Sequence, residues 1–212
     1  ENILCITFTN KAANVMKNRI RTLLGVNFSG NIFTFHGLCY KILKDEIHHI
    51  GFPNNFTLID GDEEEEIFNR LYKENNINKL DLKYGDFAEK IKDFKVKHQD
   101  EYILYLFKKG EINCNDVLIK KYLEIERDEY ALDFNDLIFI TLHFLRNYPD
   151  INEKYCYKYQ YLLVDEFQDV SNEEFELANV LSSIYKNLFV VGDGDQTIYT
   201  WRGTKDYLFL FK

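Results

Sequence analysis

The sequence lacks the long apolar runs and paired cysteines that mark several common classes of protein. No run approaches the roughly 20 uninterrupted apolar residues of a membrane-spanning helix. The first residues also lack the charged and apolar regions of a signal peptide, so we expect neither a membrane segment nor export. The four cysteines include no C-x-x-C pair, which gives no support to a zinc site or a disulfide framework and favours reduced thiols.

An excess of basic residues is also missing, since the formal net charge is -9. This balance argues against a uniformly basic surface for nucleic acid. The distribution is uneven, because residues 1 to 50 hold six basic and three acidic side chains, whereas residues 60 to 66 hold six acids. From charge alone, solvated helix faces explain this pattern, although the first part of the chain is suited to contact with phosphate.

The first part of the chain alternates between strand and helix patterns. The nearly continuous apolar run 3–8 predicts a strand that is covered on both faces. A helix with three- and four-residue apolar spacing follows, with Thr9 or Asn10 as its cap and Gly25 as its stop. A second strand is predicted at 32–35, before another helix. This order implies a parallel sheet.

The middle of the chain has a different character. From 57 to 131 the strand signal nearly vanishes and short amphipathic helices take over, which predicts an inserted all-helical subdomain. Strand patterns return at 161–164 and 188–191. The sequence predicts two capping boxes in this last part, each with an acid three residues after the cap: Asp133 with Asp136, and Ser171 with Glu174. The predicted fold class is α/β, with a parallel sheet flanked by helices and a helical insertion.

Two acids follow the predicted strand at 161–164. Asp165 and Glu166 would lie just beyond its carboxyl end, where open α/β sheets bind ligands. Asp165 suits the binding of magnesium through its water shell, and Glu166 suits the removal of a proton from an attacking water. The alternative is structural, with Asp165 at the start of a turn and Glu166 as the cap of the next helix. For a lone Asp-Glu pair we would favour that alternative.

A second strand end carries Gly192-Asp193-Gly194-Asp195-Gln196. Glycines let the backbone approach a ligand closely, and the Gln196 amide offers both a donor and an acceptor. Tyr199, Trp201 and Arg202 follow, a grouping that suits base stacking and phosphate contact on single-stranded nucleic acid. Taken alone, these aromatic residues fit packing roles and Asp-Gly-Asp fits a simple turn.

Five segments together resemble, in order, the motifs of the UvrD/Rep/PcrA-type superfamily 1 DNA helicases. The segments are T-F-T-N-K-A-A at 7–13, T-F-H at 34–36, L-D-F-N-D-L at 132–137, V-D-E-F-Q-D at 164–169 and V-G-D-G-D-Q-T-I-Y-T-W-R-G at 191–203. Five ordered matches over nearly the whole chain are a specific signal.

The resemblance implies a RecA-like motor domain of an ATP-dependent 3′ to 5′ DNA helicase. Residues 1–56 and 132–212 would form two parts of that domain, and 57–131 would be its inserted helical subdomain. ATP and Mg²⁺ would be its cofactors. The implied partners are single-stranded and duplex DNA and a second motor domain of the same chain, in DNA repair or replication and in a compartment that contains DNA.

The same resemblance assigns roles to individual residues. In the ATP site, Asp165 would help to hold magnesium, Glu166 would activate the hydrolytic water, and Gln196 would sense the γ-phosphate. The residues implied to face single-stranded DNA are Phe8, Asn10, His36, Tyr199, Trp201 and Arg202, with Tyr199 and Trp201 stacking on bases.

Three departures from the family pattern stand out. Gly37 replaces the usual Ser after T-F-H, and Gly194 replaces an acidic or small residue, a mild change. The largest departure is that these residues contain no G-x-x-x-x-G-K-[ST] phosphate loop, because the glycine-spaced segment 25–30 continues as Asn31-Ile32. We therefore expect an internal fragment of a larger helicase that is inactive by itself.

Two other functions remain open. One is a catalytically inactive DNA-binding or partner-docking module with a degenerate helicase fold, which the missing phosphate loop would explain. The other, a carboxylate-metal hydrolase that acts through Asp165, Glu166 and Asp193, is weaker because it gives the aromatic and T-F-T-N-K segments no purpose.

Overall fold

The computed structural model describes residues 2–25, 30–77, 82–108 and 110–193. They form two compact units. Unit 1 contains the described residues up to Lys41 and from Thr141 onward, and unit 2 contains Ile42–Ile140. Within the described part of the chain, every helix is too short or too polar to cross a lipid bilayer.

The helices and strands of these residues are, in chain order, β1 (Ile3–Ile6), α1 (Asn10–Leu24), β2 (Asn31–Phe33), α2 (Phe35–Glu46), β3 (Thr57–Leu58), α3 (Gly61–Glu74), α4 (Tyr84–Lys97), α5 (Gln99–Leu106), α6 (Val117–Asp128), β4 (Ala131–Leu132), α7 (Phe134–Asn147), α8 (Pro149–Lys158), β5 (Tyr161–Val164), α9 (Asn172–Leu181) and β6 (Leu188–Val190).

Unit 1 is built on a four-stranded sheet in the order β2-β1-β5-β6, in which every neighbouring pair is parallel. Ile6 of β1 is level with Phe33 of β2 and with Val164 of β5, and Val164 is level with Val190 of β6. The four strands therefore end together at one edge. The predicted α/β fold with a parallel sheet and flanking helices is confirmed.

The two faces of this sheet differ in exposure. On one face, Leu4 and Ile6 of β1 and Leu162 and Val164 of β5 are all at most 1% exposed. On the other face, Ile3, Tyr161 and Phe189 are each more than half exposed. Among the described residues, burial of one face therefore supplies most of the apolar stabilisation of the sheet, and the prediction that the first strand is covered on both faces is wrong there.

Local sequence signals account for the helix starts beside this sheet. The Thr9 hydroxyl accepts a hydrogen bond from Ala12 N at 3.1 Å, and Gly25 ends α1 with a positive φ of 96°. The predicted cap and stop of this helix are confirmed. The prediction that the second strand reaches Phe35 is wrong, because Thr34 Oγ1 accepts from Gly37 N at 3.0 Å and starts α2 at Phe35.

Unit 2 contains the helices α3 to α6 around a cluster of aromatic rings. The Phe68 ring lies 4.4 Å from that of Tyr72 and 4.9 Å from that of Phe87, and Phe87 meets Tyr122 edge to face. A two-residue parallel pair of strands, β3 and β4, adjoins these helices. The amphipathic pattern of the sequence predicts the helical character of this unit but not the pair of strands.

A buried ionic cluster joins four segments of unit 2. The Lys95 ammonium, on α4, lies 2.6 Å from Glu126 Oε1 on α6, 2.7 Å from Asp133 Oδ2 and 3.0 Å from Asp136 Oδ2. Tyr102 donates its hydroxyl to Glu126 Oε2 at 2.9 Å. All five side chains are buried. Three carboxylates therefore share one cation in the interior, and we name this set the Lys95 cluster.

Burial and neighbouring charges together set the pKa values in the Lys95 cluster. Removal from water raises the pKa of Asp136 to about 6, with the neighbouring Asp133 carboxylate adding to the shift. The pKa of Glu126 is also raised well above its usual range, because burial outweighs the attraction of Lys95. The pKa of Lys95 is raised as well, since the attraction of three carboxylates outweighs its own loss of water.

Candidate functional site

The carboxyl edge of the four-stranded sheet brings together segments that lie far apart in the sequence. Pairing continues past the strand ends, with Thr7 N donating to Phe33 O at 3.0 Å and Asp165 N donating to Ile6 O at 2.9 Å. Phe167 N donates to Val191 O at 2.9 Å on the other side of β5. The segments that begin at Thr7, Thr34, Asp165 and Gly192 therefore follow adjacent strands at one edge, where such sheets bind ligands.

Asp165 and Glu166 lie directly after β5, as predicted. Asp165 is half-buried and Glu166 is exposed. Glu166 has φ 54° and ψ 42°, the left-handed region, which costs a residue with a side chain about 1–2 kcal/mol. Glu166 occupies the cap position of the 3₁₀ turn Phe167–Asp169, as the structural alternative predicts, but its side chain makes no capping hydrogen bond there. Strain of this kind, when the surroundings maintain it, is common at functional positions.

Gln168 connects the Glu166 carboxylate to the segment after β6. Its Nε2 donates to Glu166 Oε2 at 2.7 Å, and its Oε1 accepts from Asp193 N at 3.1 Å. The Gln168 side chain is almost completely buried. The sequence alone does not predict this contact, because it depends on how close β6 passes to Gln168.

The backbone of Gly192 passes close to this contact. A Cβ atom at this position would lie 2.5 Å from Gln168 Oε1 and 3.1 Å from the backbone nitrogens of Phe167 and Gln168. The first distance is shorter than any ordinary contact of a Cβ atom. The predicted close approach of the backbone at Gly192 is therefore to the Gln168 segment of the same unit.

Three predicted DNA-facing residues lie at the same edge. Phe8 is half-buried just past β1, Asn10 is the exposed first residue of α1, and His36 is half-buried in the first turn of α2. His36 Nδ1 lies 3.9 Å from Glu174 Oε1, beyond hydrogen-bond distance. The other Glu174 oxygen accepts from Ser171 N at 2.9 Å in the predicted capping box, which is confirmed.

The other predicted site residues, Gln196, Tyr199, Trp201 and Arg202, lie outside the described residues, as does Gly194. Their roles stay predictions. Gly37, the other departure from the family pattern, has its backbone nitrogen bonded to Thr34 Oγ1, and a Cβ there would lie 3.1 Å from that hydroxyl oxygen.

Among the described residues, the one group of three metal-ligating side chains that converge within 4.8 Å is Glu126, Asp133 and Asp136. Its centre is filled by the Lys95 ammonium, so these carboxylates already have a cation. Asp165, Glu166 and Asp193 do not converge in this way. The carboxylate-metal hydrolase therefore gains no support from the geometry.

Comparison with known proteins gives a consistent result. Residues 1–210 match the family model of the UvrD/REP helicase N-terminal domain. The ATP-dependent DNA helicase PcrA of Staphylococcus aureus strain Mu50 is 36% identical over 207 residues, which cover 95% of this chain and 28% of that relative. PcrA of Staphylococcus epidermidis strain RP62A is 36% identical over 211 residues, with the same coverage. The chain thus spans little more than a quarter of the length of these relatives.

Proposed function

The chain belongs to the UvrD/REP helicase N-terminal domain family, and we propose that it forms part of the motor of an ATP-dependent DNA helicase. The complete protein would couple ATP hydrolysis to 3′ to 5′ movement on single-stranded DNA and to unwinding of the duplex. DNA repair or replication, in a compartment that contains DNA, is the proposed setting. The names of the PcrA relatives support ATP dependence and action on DNA.

The observation that carries the proposal is the position of Asp165 and Glu166. Both follow β5 at the edge where β1, β2 and β6 also end, and Glu166 is held in a strained backbone conformation with its carboxylate bonded to Gln168. A site built for water activation needs a carboxylate in a defined direction, and this arrangement provides one.

Asp165 fits a magnesium ion. Mg²⁺ keeps several waters and is usually held by one or two carboxylates together with phosphate oxygens, so one half-buried Asp at a strand end is a suitable ligand. When bound, magnesium neutralises charge that develops on the phosphate oxygens. Asp165 would orient the ion through its water shell, and Glu166 would accept the proton of the attacking water.

The DNA-binding side of the proposal uses the neighbouring strand ends. Phe8, Asn10 and His36 follow β1 and β2, next to the acids after β5. We assign Tyr199 and Trp201 to base stacking, Arg202 to a place beside them, and Gln196 to relaying the nucleotide state to the DNA. A second motor domain of the same chain would complete the nucleotide site.

We assign residues 1–56 and 132–212 to the RecA-like motor domain and 57–131 to the inserted subdomain. The compact unit 2 is wider than this insertion, since it contains Ile42–Ile140. Its strands β3 and β4 lie at the two ends of the insertion, where they pair with each other. The pairing supports an insertion that closes on itself at its base.

The test is Glu166→Gln in the complete protein. This change keeps the size of the side chain and removes the proton acceptor, so turnover of ATP should fall by about 10²–10⁴-fold while nucleotide binding is retained. DNA-stimulated ATPase assays and titration with a fluorescent nucleotide measure the two effects. Glu153→Gln, at an exposed position on α8, is the matched control and should behave as the wild type.

Unchanged turnover in Glu166→Gln would refute the assignment of the base. The inactive DNA-binding or docking module is the second candidate, favoured only by the missing phosphate loop in these 212 residues. For that module, the complete wild-type protein would bind DNA without any ATPase activity, and Glu166→Gln would change nothing.

A further inference from the structure

The Gln168 side chain lies between two segments of the candidate site and makes a hydrogen bond with each of them. It is 2% exposed. Its Nε2 donates to Glu166 Oε2 at 2.7 Å, and its Oε1 accepts from Asp193 N at 3.1 Å. Because a backbone N–H can only donate and an ionised carboxylate can only accept, this amide orientation is the one that satisfies both neighbours.

Glu166 needs such a partner. An exposed glutamate side chain samples many rotamers, whereas proton removal from a bound water requires a narrow range of positions. The left-handed backbone at Glu166 sets the direction in which its side chain leaves the chain, and the bond from Gln168 holds its far end. Two constraints, one at each end of the side chain, therefore define the place of the carboxylate.

The other half of the Gln168 amide holds the end of β6. The backbone at Gly192 passes so close that a Cβ atom there would lie 2.5 Å from Gln168 Oε1. Asp193 N is bonded to the same oxygen and lies three residues before Gln196 in the sequence. A shift of this segment would therefore move the Gln168 amide and, through it, the Glu166 carboxylate.

We propose that Gln168 is a positioning residue that holds the Glu166 carboxylate for water activation and links its position to the segment after β6. This inference rests on the proposed function, because it requires Glu166 to be the base. Gln168 itself touches no reacting atom. Its role is to make the position of the base depend on the segment that leads to Gln196.

Two substitutions in the complete protein separate the two hydrogen bonds of Gln168. Gln168→Met keeps the approximate length of the side chain and removes both bonds. Gln168→Glu keeps an acceptor for Asp193 N but removes the donor to Glu166 and places two carboxylates side by side. Gln160→Met, at the opposite end of β5, is the matched control and should match the wild type in every measurement.

The expected result is a loss of turnover with binding preserved. In both Gln168 variants we expect kcat for DNA-stimulated ATP hydrolysis to fall by about tenfold or more, with KM and the affinity for a fluorescent ADP analogue within about threefold of the wild type. In a Glu166→Gln background, Gln168→Met should cause no further loss, because the two residues act as one unit.

Amide hydrogen exchange provides a readout that is independent of activity. The Asp193 amide should exchange faster in Gln168→Met, which lacks an acceptor, and should stay protected in Gln168→Glu, which retains one. Melting temperature reports folding of each variant. A purely structural role would lower the melting temperature and the nucleotide affinity together with kcat.

Three results would overturn the inference. A kcat within about threefold of the wild type in both variants, while Glu166→Gln is inactive, refutes the role of Gln168 and leaves the proposed function intact. Parallel losses of kcat, nucleotide affinity and melting temperature assign Gln168 to stability alone. A wild-type protein without DNA-stimulated ATPase activity, or an unaffected Glu166→Gln, overturns both proposals.

Discussion

At the scale of single residues, Lys95 is unusual because its charged side chain is completely buried. Lysine is almost never fully buried unless it is paired, and here its ammonium meets three carboxylates within 3.0 Å. Such a cluster adds little net stability compared with an apolar core, but the loss of one partner leaves buried charge without compensation. A substitution that removes Lys95 should therefore lower the free energy of unfolding strongly, although the intact cluster adds little to it.

Lys95→Met should reduce the free energy of unfolding by about 3–5 kcal/mol, because three buried carboxylates would lose the ammonium that they share. Urea denaturation at pH 7 measures the change. Lys97→Met on the same helix is the control, since that side chain is 71% exposed and its contact with Asp93 is 3.7 Å long. The control should differ from the wild type by less than about 0.5 kcal/mol. Equal effects for the two substitutions would contradict the account of the cluster.

Residues also differ in how well the sequence predicts them. The position of Asp165 and Glu166 after an apolar strand is predictable, because apolar runs and strand ends are local signals. The contacts of Gln168 and Gly192 are not, since they depend on the distance between β5 and β6. The sequence likewise predicts a helix cap at Asp133 and Asp136 but gives no signal for their contact with Lys95, 38 residues before Asp133.

At the scale of elements, helix starts follow the sequence closely. The Asp133-Asp136 capping box is confirmed by reciprocal bonds, with Asp133 N donating to Asp136 Oδ2 at 2.9 Å and Asp136 N to Asp133 Oδ1 at 3.0 Å. Caps are predictable because both partners lie within one turn. The pairing of β3 with β4 cannot be predicted from the sequence, because each strand has only two residues and its partner lies more than 70 residues away.

The start of α7 thus has two tasks, since Asp136 is both part of the cap and part of the Lys95 cluster. Its pKa of about 6 in the folded protein exceeds the value of 3.8 for an ordinary aspartate, because burial opposes the charged form. The folded state therefore binds a proton that the unfolded state has released between about pH 4 and 6. This contribution to stability is present at low pH and is lost as the pH rises through 6.

Asp136→Asn should remove that contribution, because asparagine does not titrate. We expect the decline in stability attributable to Asp136 between about pH 4 and 6 to be absent in the variant, which urea denaturation across this range would measure. Asp93→Asn, at an exposed position on α4, should follow the wild-type profile. The pKa values of Lys95 and Glu126 are also shifted, so the diagnostic quantity is the difference between the two profiles. Identical profiles would contradict the assignment to Asp136.

At the scale of the whole molecule, these 212 residues contain the acids of the proposed nucleotide site and lack the lysine-containing loop that would bind the β- and γ-phosphates. The net charge of -9 adds no general attraction for a polyanionic ligand. Most of the proposed affinity for ATP would therefore come from residues outside this sequence.

The isolated segment should consequently bind nucleotide weakly and show essentially no ATPase activity. Titration with a fluorescent ATP analogue, with the complete protein as the control, measures the difference. A dissociation constant on the order of micromolar for the segment alone, equivalent to about 8 kcal/mol of binding free energy, would refute this expectation.

The strand order β2-β1-β5-β6 also dictates a sequence of events during synthesis. The strand β1 has β5 as one of its two neighbours, and about 150 residues are made between them. Unit 2 is continuous in the chain, so all the segments that pack within it leave the ribosome before β5 does. The four-stranded sheet that carries the candidate site cannot be completed until β5 and β6 have been made. The site residues after β1 and β2 are therefore translated before β5 and β6, and the site around them forms only when those two strands have joined the sheet.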